Sequence, residues 1–503
     1  MKKKFLLFIN LLALLFAWQV SHIKQVAADD KIKVVTTFYP VYEFTKAVTG
    51  DSADVSMLIK AGTEPHDFEP STKNVATISD ADMFVYMDDS METWVKKVQK
   101  SINSDDLTVV KSTGDMLLMA GTAEEEEEGH EGHSHEYDPH VWLSPKRAVT
   151  LVENIRDAFV AKYPDKAETF KTNSAAYIEK LNDLDKKYSD ALSNAKQKSF
   201  VTQHAAFGYL ALDYGLNQIP ITGVSAESEP SAKRLASLTK YVKKYDIKYI
   251  YFEENASSKV AATLADEAGV KTAVLNPLES LTTKEIKAGE DYFTVMKDNL
   301  KALRLTTDVK GKEIKAETDD TKTVQHGYFK DKDVTDRKLT DWSGTWQSVY
   351  PYLLDGTLDE VWEYKADASK GEQTAQEVKD YYTTGYKTDV EKIIIDGKKN
   401  TVTFVQNGEE HKYIYKYVGY KILKYEKGNR GVRYLFEAKD DNADDFKYIQ
   451  FSDHNISSTK AEHFHLFWGS TSQKAILKEM DNWPTYFPAS KSGQEIAQDL
   501  VAH

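Results

Sequence analysis

The chain has 503 residues, contains no cysteine and carries a formal charge of −14 at pH 7. The absence of cysteine excludes disulfides and thiolate metal sites, and the acidity argues against nucleic acid or an anionic membrane as the main partner and favours cations. A polypeptide of this length exceeds what one hydrophobic core supports, which predicts at least two domains.

The first 28 residues have the layout of a secretory signal peptide. Three lysines, Lys2 to Lys4, precede an apolar run over residues 5–18, and a polar stretch closes on the small residue Ala28. The apolar run is shorter than the about 20 residues that a membrane-spanning helix needs. We therefore expect cleavage after Ala28 and a mature protein outside the cytoplasmic membrane, with no membrane span.

From residue 31 to about 303, short β-branched runs alternate with stretches of helical periodicity. The strand candidates are KVVTTF, VSMLI, MFVYM, LTVV, SFVT, QIPIT, YIYFE and TAVL. Nearly continuous apolar strands between helices predict two α/β lobes with parallel sheets. A helical stretch from about 166 to 196 separates the lobes, and at 1.5 Å per residue its length of about 45 Å is enough to brace both.

Three histidines lie at predicted strand-to-helix transitions, where open α/β sheets bind their ligands. They are His66 in TEPHDFEP, His140 in DPHVWLSP and His204 in VTQHAAFGY. Each alone is compatible with a loop histidine bonded to backbone groups. Three in equivalent settings predict a metal site, because neutral imidazole is a common zinc ligand.

The segment AEEEEEGHEGHSHEY, residues 123–137, leads directly into the loop that carries His140. Its acidic, low-complexity composition cannot bury apolar surface, which predicts a mobile loop. Its histidines, His130, His133 and His135, are candidate loop ligands. Two interpretations stay open, a chelating arm that gathers metal and a charge run that only aids solubility.

A polar stretch over residues 305–325 predicts a linker between a first domain over 29–304 and a second over 326–503. The second domain contains alternating aromatic and β-branched runs, and Asn407-Gly408 between two of them predicts a type I′ hairpin. We expect a mostly antiparallel barrel or sandwich, with helices near 471–480 and 494–501.

A second group of histidines lies near the end of this domain. Residues two apart in a strand point to the same face, so His463 and His465 share one, and His454 ends the preceding run. Two imidazoles on one face are costly to bury without partners, which predicts a second metal site.

Several motifs of the first domain occur in order and resemble the zinc-specific, ZnuA-like group of ABC-transporter substrate-binding proteins, cluster A-I. They are VTTFYPVYEFTK, GTEPHDFEPS, DPHVWLSP, VTQHAAFGYLALDYGL, EPSAKRL and YIYFEENAS. The resemblance implies two α/β lobes joined by a rigid helix. It also implies that His66, His140 and His204 bind zinc together with Glu279 of NPLES.

One position bears on the choice of metal. Manganese-type relatives have a carboxylate in place of His204, and three imidazoles favour zinc over harder ions. Three imidazoles and one carboxylate leave about one positive charge around the ion and can complete a tetrahedron. Glu253, Glu254 and Asp266 remain rivals of Glu279 for the fourth position.

Residues 326–503 resemble the ZinT-type zinc-binding domain, a lipocalin-like β-barrel with added helices. The matching stretches include DWSGTWQSVYPYLLDGTLDEVWEY, GNRGVRYLFEA and KAEHFHLFWG. The resemblance implies that His454, His463 and His465 are ligands and that the remaining position is open or filled by water or a mobile group. The fusion of both domains resembles the two-domain zinc-capturing proteins of Gram-positive ABC importers.

The resemblance implies a monomeric protein that captures extracellular Zn²⁺ at two sites and delivers it to an ABC permease. The ATPase belongs to another chain, because no P-loop pattern is present. We expect no enzymatic activity, although a zinc-dependent hydrolase and a surface adhesin remain alternatives, since three histidines with an open position are typical of catalytic zinc. With no cysteine to accept lipid, we expect secretion, or retention at the cell surface by an uncleaved signal or protein contacts.

Deleting residues 124–136 tests the interpretation of the His-rich segment. We expect tight stoichiometric zinc binding to persist, because the remote histidines are untouched, while zinc uptake at scarce metal slows. Uptake kinetics that do not change in cells carrying the deletion would contradict a gathering role.

Overall fold

The computed structural model describes residues 31–61, 63–102, 106–121, 137–221, 232–253, 259–312, 324, 327–369, 371–425 and 428–502. The expected signal peptide, the three histidines of the His-rich segment, Glu254 and most of the predicted linker lie outside these residues. Within the described ranges, no helix combines the length and the apolar character needed to cross a membrane.

The first lobe is built on a parallel sheet flanked by helices. Its elements are β1 (Ile32–Thr36), α1 (Tyr39–Thr49), β2 (Ala53–Met57), α2 (Thr72–Ser79), β3 (Met83–Tyr86), α3 (Val95–Ser101), β4 (Thr108–Lys111) and α4 (Pro145–Lys162). The strand order is β2-β1-β3-β4, with every pair parallel. All four residues of β3 are buried, as expected for a strand covered on both faces.

The second lobe repeats this design after a long helix. Its elements are α5 (Ala167–Leu192), β5 (Ser199–Thr202), α6 (Gly208–Asp213), β6 (Asn217–Pro220), α7 (Ala232–Tyr245), β7 (Tyr249–Phe252), α8 (Lys259–Ala268), β8 (Lys271–Val274), α9 (Thr283–Ala288) and α10 (Tyr292–Thr307). The sheet is again parallel, in the order β6-β5-β7-β8. All eight strands predicted from the sequence are confirmed.

Helix α5 joins the two lobes and contacts both. Its 26 residues give a length of about 39 Å at the helical rise. In its first half, the Tyr177 hydroxyl donates to Glu43 of α1 over 3.1 Å, and near its end the Tyr188 hydroxyl donates to the Met296 carbonyl of α10 over 2.6 Å. The predicted brace is therefore confirmed.

The C-terminal domain is a closed barrel of eight antiparallel strands with helices packed against it. Its elements are β9 (Gly344–Ser348), α11 (Tyr350–Leu354), α12 (Asp359–Ala368), α13 (Ala375–Tyr386), β10 (Val390–Asp396), β11 (Thr401–Gln406), β12 (Glu409–Lys424), β13 (Arg430–Ala438), β14 (Tyr448–Ser452), β15 (Phe464–Gly469), α14 (Gln473–Ile476), β16 (Thr485–Pro488) and α15 (Gly493–Ala502). The barrel order is β10-β11-β12-β13-β14-β15-β16-β9, and β9 closes on β10.

Two local predictions for this domain have different outcomes. Asn407 and Gly408 both have positive φ, 52° and 80°, which is the type I′ conformation expected between β11 and β12. The helix expected near 471–480 is only four residues long. At its end and beyond it, the carbonyls of Ile476 and Glu479 accept hydrogen bonds from the Arg433 guanidinium on the barrel.

The carboxylate of Glu92, between β3 and α3, gives a prediction for the pH dependence of stability. Glu92 is fully buried, and its two oxygens accept from the backbone N–H groups of Met87 and Asp88, each over 3.1 Å. Burial outweighs these bonds and raises the pKa of Glu92 to about 8 from its ordinary value of 4.5. The folded chain therefore holds a proton here at neutral pH that the unfolded chain releases.

A raised carboxyl pKa in the folded state lowers stability as pH rises from about 4.5 to about 8. Replacing Glu92 by Gln removes this term, so the free energy of unfolding of Glu92→Gln should depend less steeply on pH in that range. The difference in slope should reach about 1.4 kcal/mol per pH unit at most. Unfolding by denaturant at several pH values measures it, and parallel curves for both proteins would contradict the prediction.

Candidate metal centres

Four of the side chains predicted to bind metal in the first domain converge on one point. One nitrogen each of His66, His140 and His204 and one oxygen of Glu279 all lie within 4.8 Å of one another. His66 lies in the loop after β2, His140 just before α4, His204 after β5 and Glu279 between β8 and α9. Both lobes thus contribute from the carboxyl ends of parallel strands, where such sheets bind ligands.

The distances within this first cluster match those around a four-coordinate zinc ion. The Nε2 atoms of His66 and His140 are 3.1 Å apart. From Glu279 Oε1 the Nε2 atoms of His66, His140 and His204 lie at 3.6, 3.5 and 3.4 Å. Ligand bonds of 2.0–2.1 Å in a tetrahedron place ligand atoms about 3.3 Å apart. The cluster is therefore the right size for such an ion.

The polar atoms of the first cluster are poorly satisfied by the protein itself. All four residues are buried, and within the described part of the chain His204 Nε2 and Glu279 Oε1 have no hydrogen-bond partner. Buried polar atoms normally have partners, and leaving them without one is costly. A cation at the centre would satisfy both atoms.

Two carboxylates behind the cluster orient its imidazoles. Asp138 Oδ1 lies 2.7 Å from His140 Nδ1, and Glu253 contacts His204 Nδ1. A proton on Nδ1 leaves the lone pair of Nε2 directed at the centre and makes the ring a stronger ligand. Glu253 is thus placed behind a ligand and not among the four converging groups, and Asp266 lies on α8, outside the cluster.

The electrostatics of the first cluster keep the carboxylate of Glu279 charged. Burial alone would raise its pKa, but the three imidazoles outweigh burial and hold the pKa well below its usual range. Burial lowers the pKa of His66 to about 4, so that this ring is neutral at pH 7. For His140 and His204, burial is outweighed by Asp138 and Glu253, which raise the pKa of each ring.

The loop that carries Glu279 is held tightly against the first lobe. The Trp142 indole N–H donates to the Pro277 carbonyl over 2.8 Å. Leu278 is fully buried and has a φ of 57°, a conformation that branched and bulky residues rarely adopt. Its N–H donates to the Asn276 side chain over 2.7 Å. Such conformations persist where the surroundings fix them, and they concentrate at functional sites.

The second predicted group of histidines also converges. One ring nitrogen each of His454, His463 and His465 lies within 4.8 Å of the others, and the Nε2 atoms of His454 and His465 are 3.4 Å apart. His454 is exposed and the other two are half-buried. His465 is in β15 and His463 directly precedes that strand, as expected for residues that share a face.

Neighbouring strands hold the rings of this second cluster. His465 Nδ1 lies 2.8 Å from Thr485 Oγ1 on β16, and the His463 ring stacks on Phe487 with centroids 5.2 Å apart. His454 has a φ of 62° and follows Asp453, which is buried against the Arg337 guanidinium. Burial, followed by the positive potential of His454 and His463, lowers the pKa of His465 well below its usual range. The His465 ring is therefore neutral at pH 7.

Sequence reasoning identified the converging histidines but assigned no role to the residues that orient them. The spacing Asp-Pro-His over 138–140 was an available signal for the carboxylate behind His140, because an aspartate two residues before a ligand can reach its ring. The contact of Thr485 with His465 joins two strands and had no such local signal.

Comparison with known proteins agrees with this arrangement. The family model for ZnuA, the zinc-uptake complex component A, periplasmic, matches residues 34–305, and the model for ZinT (YodA), periplasmic, lipocalin-like and zinc-recruiting, matches residues 320–503. The zinc-binding protein AdcA of Streptococcus pyogenes serotype M6 is 66% identical over the full length of both chains. The zinc-binding lipoprotein AdcA of Streptococcus pneumoniae is 62% identical, again over both full lengths.

A solved structure is similar over both domains. The crystal structure of Zn(II)-bound AdcA from S. pneumoniae superposes with a TM-score of 0.82 and 61% identity, covering 94% of this chain and all of the other. The two-lobed α/β domain and the C-terminal barrel predicted from the sequence are therefore confirmed. The chain belongs to the ZnuA family of zinc-uptake components, in the form that carries a C-terminal ZinT domain.

Proposed function

We propose that this protein captures extracellular Zn²⁺ at two sites, one in each domain, and releases it to an ABC permease. The first site consists of His66, His140, His204 and Glu279, and the observation that carries it is their convergence at tetrahedral spacing with two buried atoms that lack partners. Zinc is here the cargo, bound and released without chemical change.

The second site, proposed on His454, His463 and His465, has a different character. One of its imidazoles, that of His454, is exposed and the other two are half-buried, and no carboxylate joins them among the described residues. An open position and an exposed ligand allow faster entry and exit of an ion than the buried first site does. This difference in burial supports different roles for the two domains, in which the barrel collects zinc and the α/β domain retains it.

The same feature bears on the alternative of a zinc-dependent hydrolase. Catalytic zinc sites use an open position for water and a nearby general base. Within the described part of the chain the second cluster has the open position but no carboxylate among its converging groups. Capture is therefore the function that the geometry favours, and an assay with ester and peptide substrates tests the alternative.

The family also supports a proposal for the partners and the location of the protein. Membership in a family of zinc-uptake components supports an ABC permease and its ATPase as partners. We propose a monomer with domains at 29–304 and 326–503 joined by a linker over 305–325. We place it outside the cell, at the surface or secreted, and the printed sequence holds no cysteine for lipid attachment.

Metal analysis of the purified chain tests both sites. We expect two zinc ions per molecule, loss of one in His204→Ala and loss of the other in His463→Ala/His465→Ala, because each change removes ligands from only one cluster. His411→Ala, which alters a histidine outside both clusters, is the control and should retain two. A His204→Ala protein that keeps both ions would refute the first site.

The carboxylate behind His204 gives a second prediction. Glu253→Gln keeps the size of the side chain but removes its charge, so the His204 ring becomes a weaker ligand. Loss of such an outer partner costs about 10- to 100-fold in metal affinity. Competition with a chelator, in a chain whose second site is removed by His463→Ala/His465→Ala, measures the change. Glu267→Gln, an exposed position on α8, controls for net charge, and equal affinities in both variants would contradict the role of Glu253.

A further inference from the structure

A short segment of the first domain, residues 115–119, is held by the second domain. Leu117 is 1% exposed and packs into the apolar core formed by α11, α12, α13 and α15. The side-chain amide of Gln498 on α15 pairs with both backbone groups of Leu118, accepting from its N–H and donating to its carbonyl, each over 2.7 Å. Gln494, one turn earlier, donates to the Asp115 carbonyl.

These contacts are specific as well as buried. The Gln498 amide satisfies the backbone donor and the backbone acceptor of one residue at once, in the manner of a neighbouring strand. The Glu360 carboxylate on α12 lies beside the backbone N–H of Leu117, which offsets part of the rise that burial causes in its pKa. Two helices of the second domain therefore contact this segment at consecutive residues.

The next residue of the same segment supports the first metal centre. The backbone of Met119 makes two hydrogen bonds: its N–H donates to the Tyr209 hydroxyl over 2.7 Å, and its carbonyl accepts from the Asp138 N–H over 2.8 Å. The Tyr209 hydroxyl in turn donates to the Asp138 carbonyl over 2.7 Å. The backbone of Asp138 is thereby held on both sides.

Asp138 transmits this constraint to a proposed ligand. Its carboxylate contacts both the backbone N–H of His140 over 3.0 Å and ring atom Nδ1 over 2.7 Å. Hydrogen bonds from Gln498 to Leu118, the peptide bond from Leu118 to Met119, and hydrogen bonds from Met119 to Asp138 and from His140 to Asp138 therefore connect α15 to His140. A change at α15 can displace Asp138 without touching the cluster.

We propose that Gln498 is a positioning residue for the first metal centre. Through the contacts of Gln498 with Leu118, docking of the second domain slows the release of zinc from that centre. The inference rests on the proposed function of the first cluster and adds to it a role for the second domain that is independent of its own histidines. A well-ordered residue that bonds to a metal-ligating side chain holds that side chain in a defined orientation, and a site whose ligands are oriented before the metal arrives binds it more tightly.

The test uses the full chain with the second site removed by His463→Ala/His465→Ala, so that only the first cluster binds zinc. Gln498→Ala in this background should release zinc to excess chelator about 3- to 10-fold faster than its parent. This lies at or below the lower end of the about 10- to 100-fold range for loss of a residue that bonds directly to a ligand, because Gln498 acts on Asp138 through Leu118 and Met119. The absorption bands of the Co²⁺-loaded protein should also shift, since the His140 ring turns.

Two variants on α15 separate positioning from loss of stability. Glu495→Ala removes the carboxylate that accepts from Ser492 at the start of α15, and it should weaken the helix without changing the release rate or the Co²⁺ bands. Gln498→Glu retains the acceptor for the Leu118 N–H and loses the donor, so it should give an intermediate rate.

The possible results decide between the explanations. The inference would be overturned if the release rates of Gln498→Ala and its parent agreed within twofold, or if Glu495→Ala released zinc as fast as Gln498→Ala. These contacts would then have a role in domain arrangement alone. A parent chain that binds no zinc at all would instead refute the proposed first site, and the inference with it.

Discussion

The structure depends most on one electrostatic constraint, the gathering of three imidazoles and a carboxylate into a buried space between two lobes. Such a cluster is costly when its polar atoms lack partners, as His204 Nε2 and Glu279 Oε1 do among the described residues. A divalent cation at the centre would remove that cost. Because Glu279 comes from the second lobe and His66 and His140 from the first, a cation bound as proposed would join the lobes.

The protein around this point is arranged to resist movement. Helix α5 bonds to both lobes, and the Trp142 indole ties the loop of His140 to the loop of Glu279 through the Pro277 carbonyl. The left-handed backbone of Leu278 persists because its side chain is buried and its N–H is bonded to Asn276. A rigid frame of this kind suits a carrier, since tight binding requires ligands that are already in place.

Each cluster contains three imidazoles, but their surroundings differ. Carboxylates stand behind His140 and His204, whereas the hydroxyl of Thr485 stands behind His465. A carboxylate strengthens the imidazole as a ligand more than a neutral hydroxyl does, and burial keeps water from competing. If both clusters bind zinc as proposed, these differences predict two sites of unequal strength, and the contacts of the second domain with residues 115–119 would allow it to influence the stronger one.

Much of this was determined by the sequence alone. Alternating buried strands and helices are periodic features, so all eight parallel strands, the brace over α5 and the Asn407-Gly408 hairpin followed from local patterns. The histidines were recognisable because three of them lie at equivalent strand-to-helix transitions and because His463 and His465 alternate. Family resemblance then joined these separate segments into two sites.

Other features were decided only by the tertiary structure. Glu253 and Glu279 are both carboxylates that follow strands of the second lobe, and only the folding of that lobe places one behind His204 and the other beside it. The pairing of Gln498 with Leu118 joins residues 380 positions apart. Contacts between a side chain and a distant backbone have no periodicity in sequence, because their geometry is set by how whole domains meet.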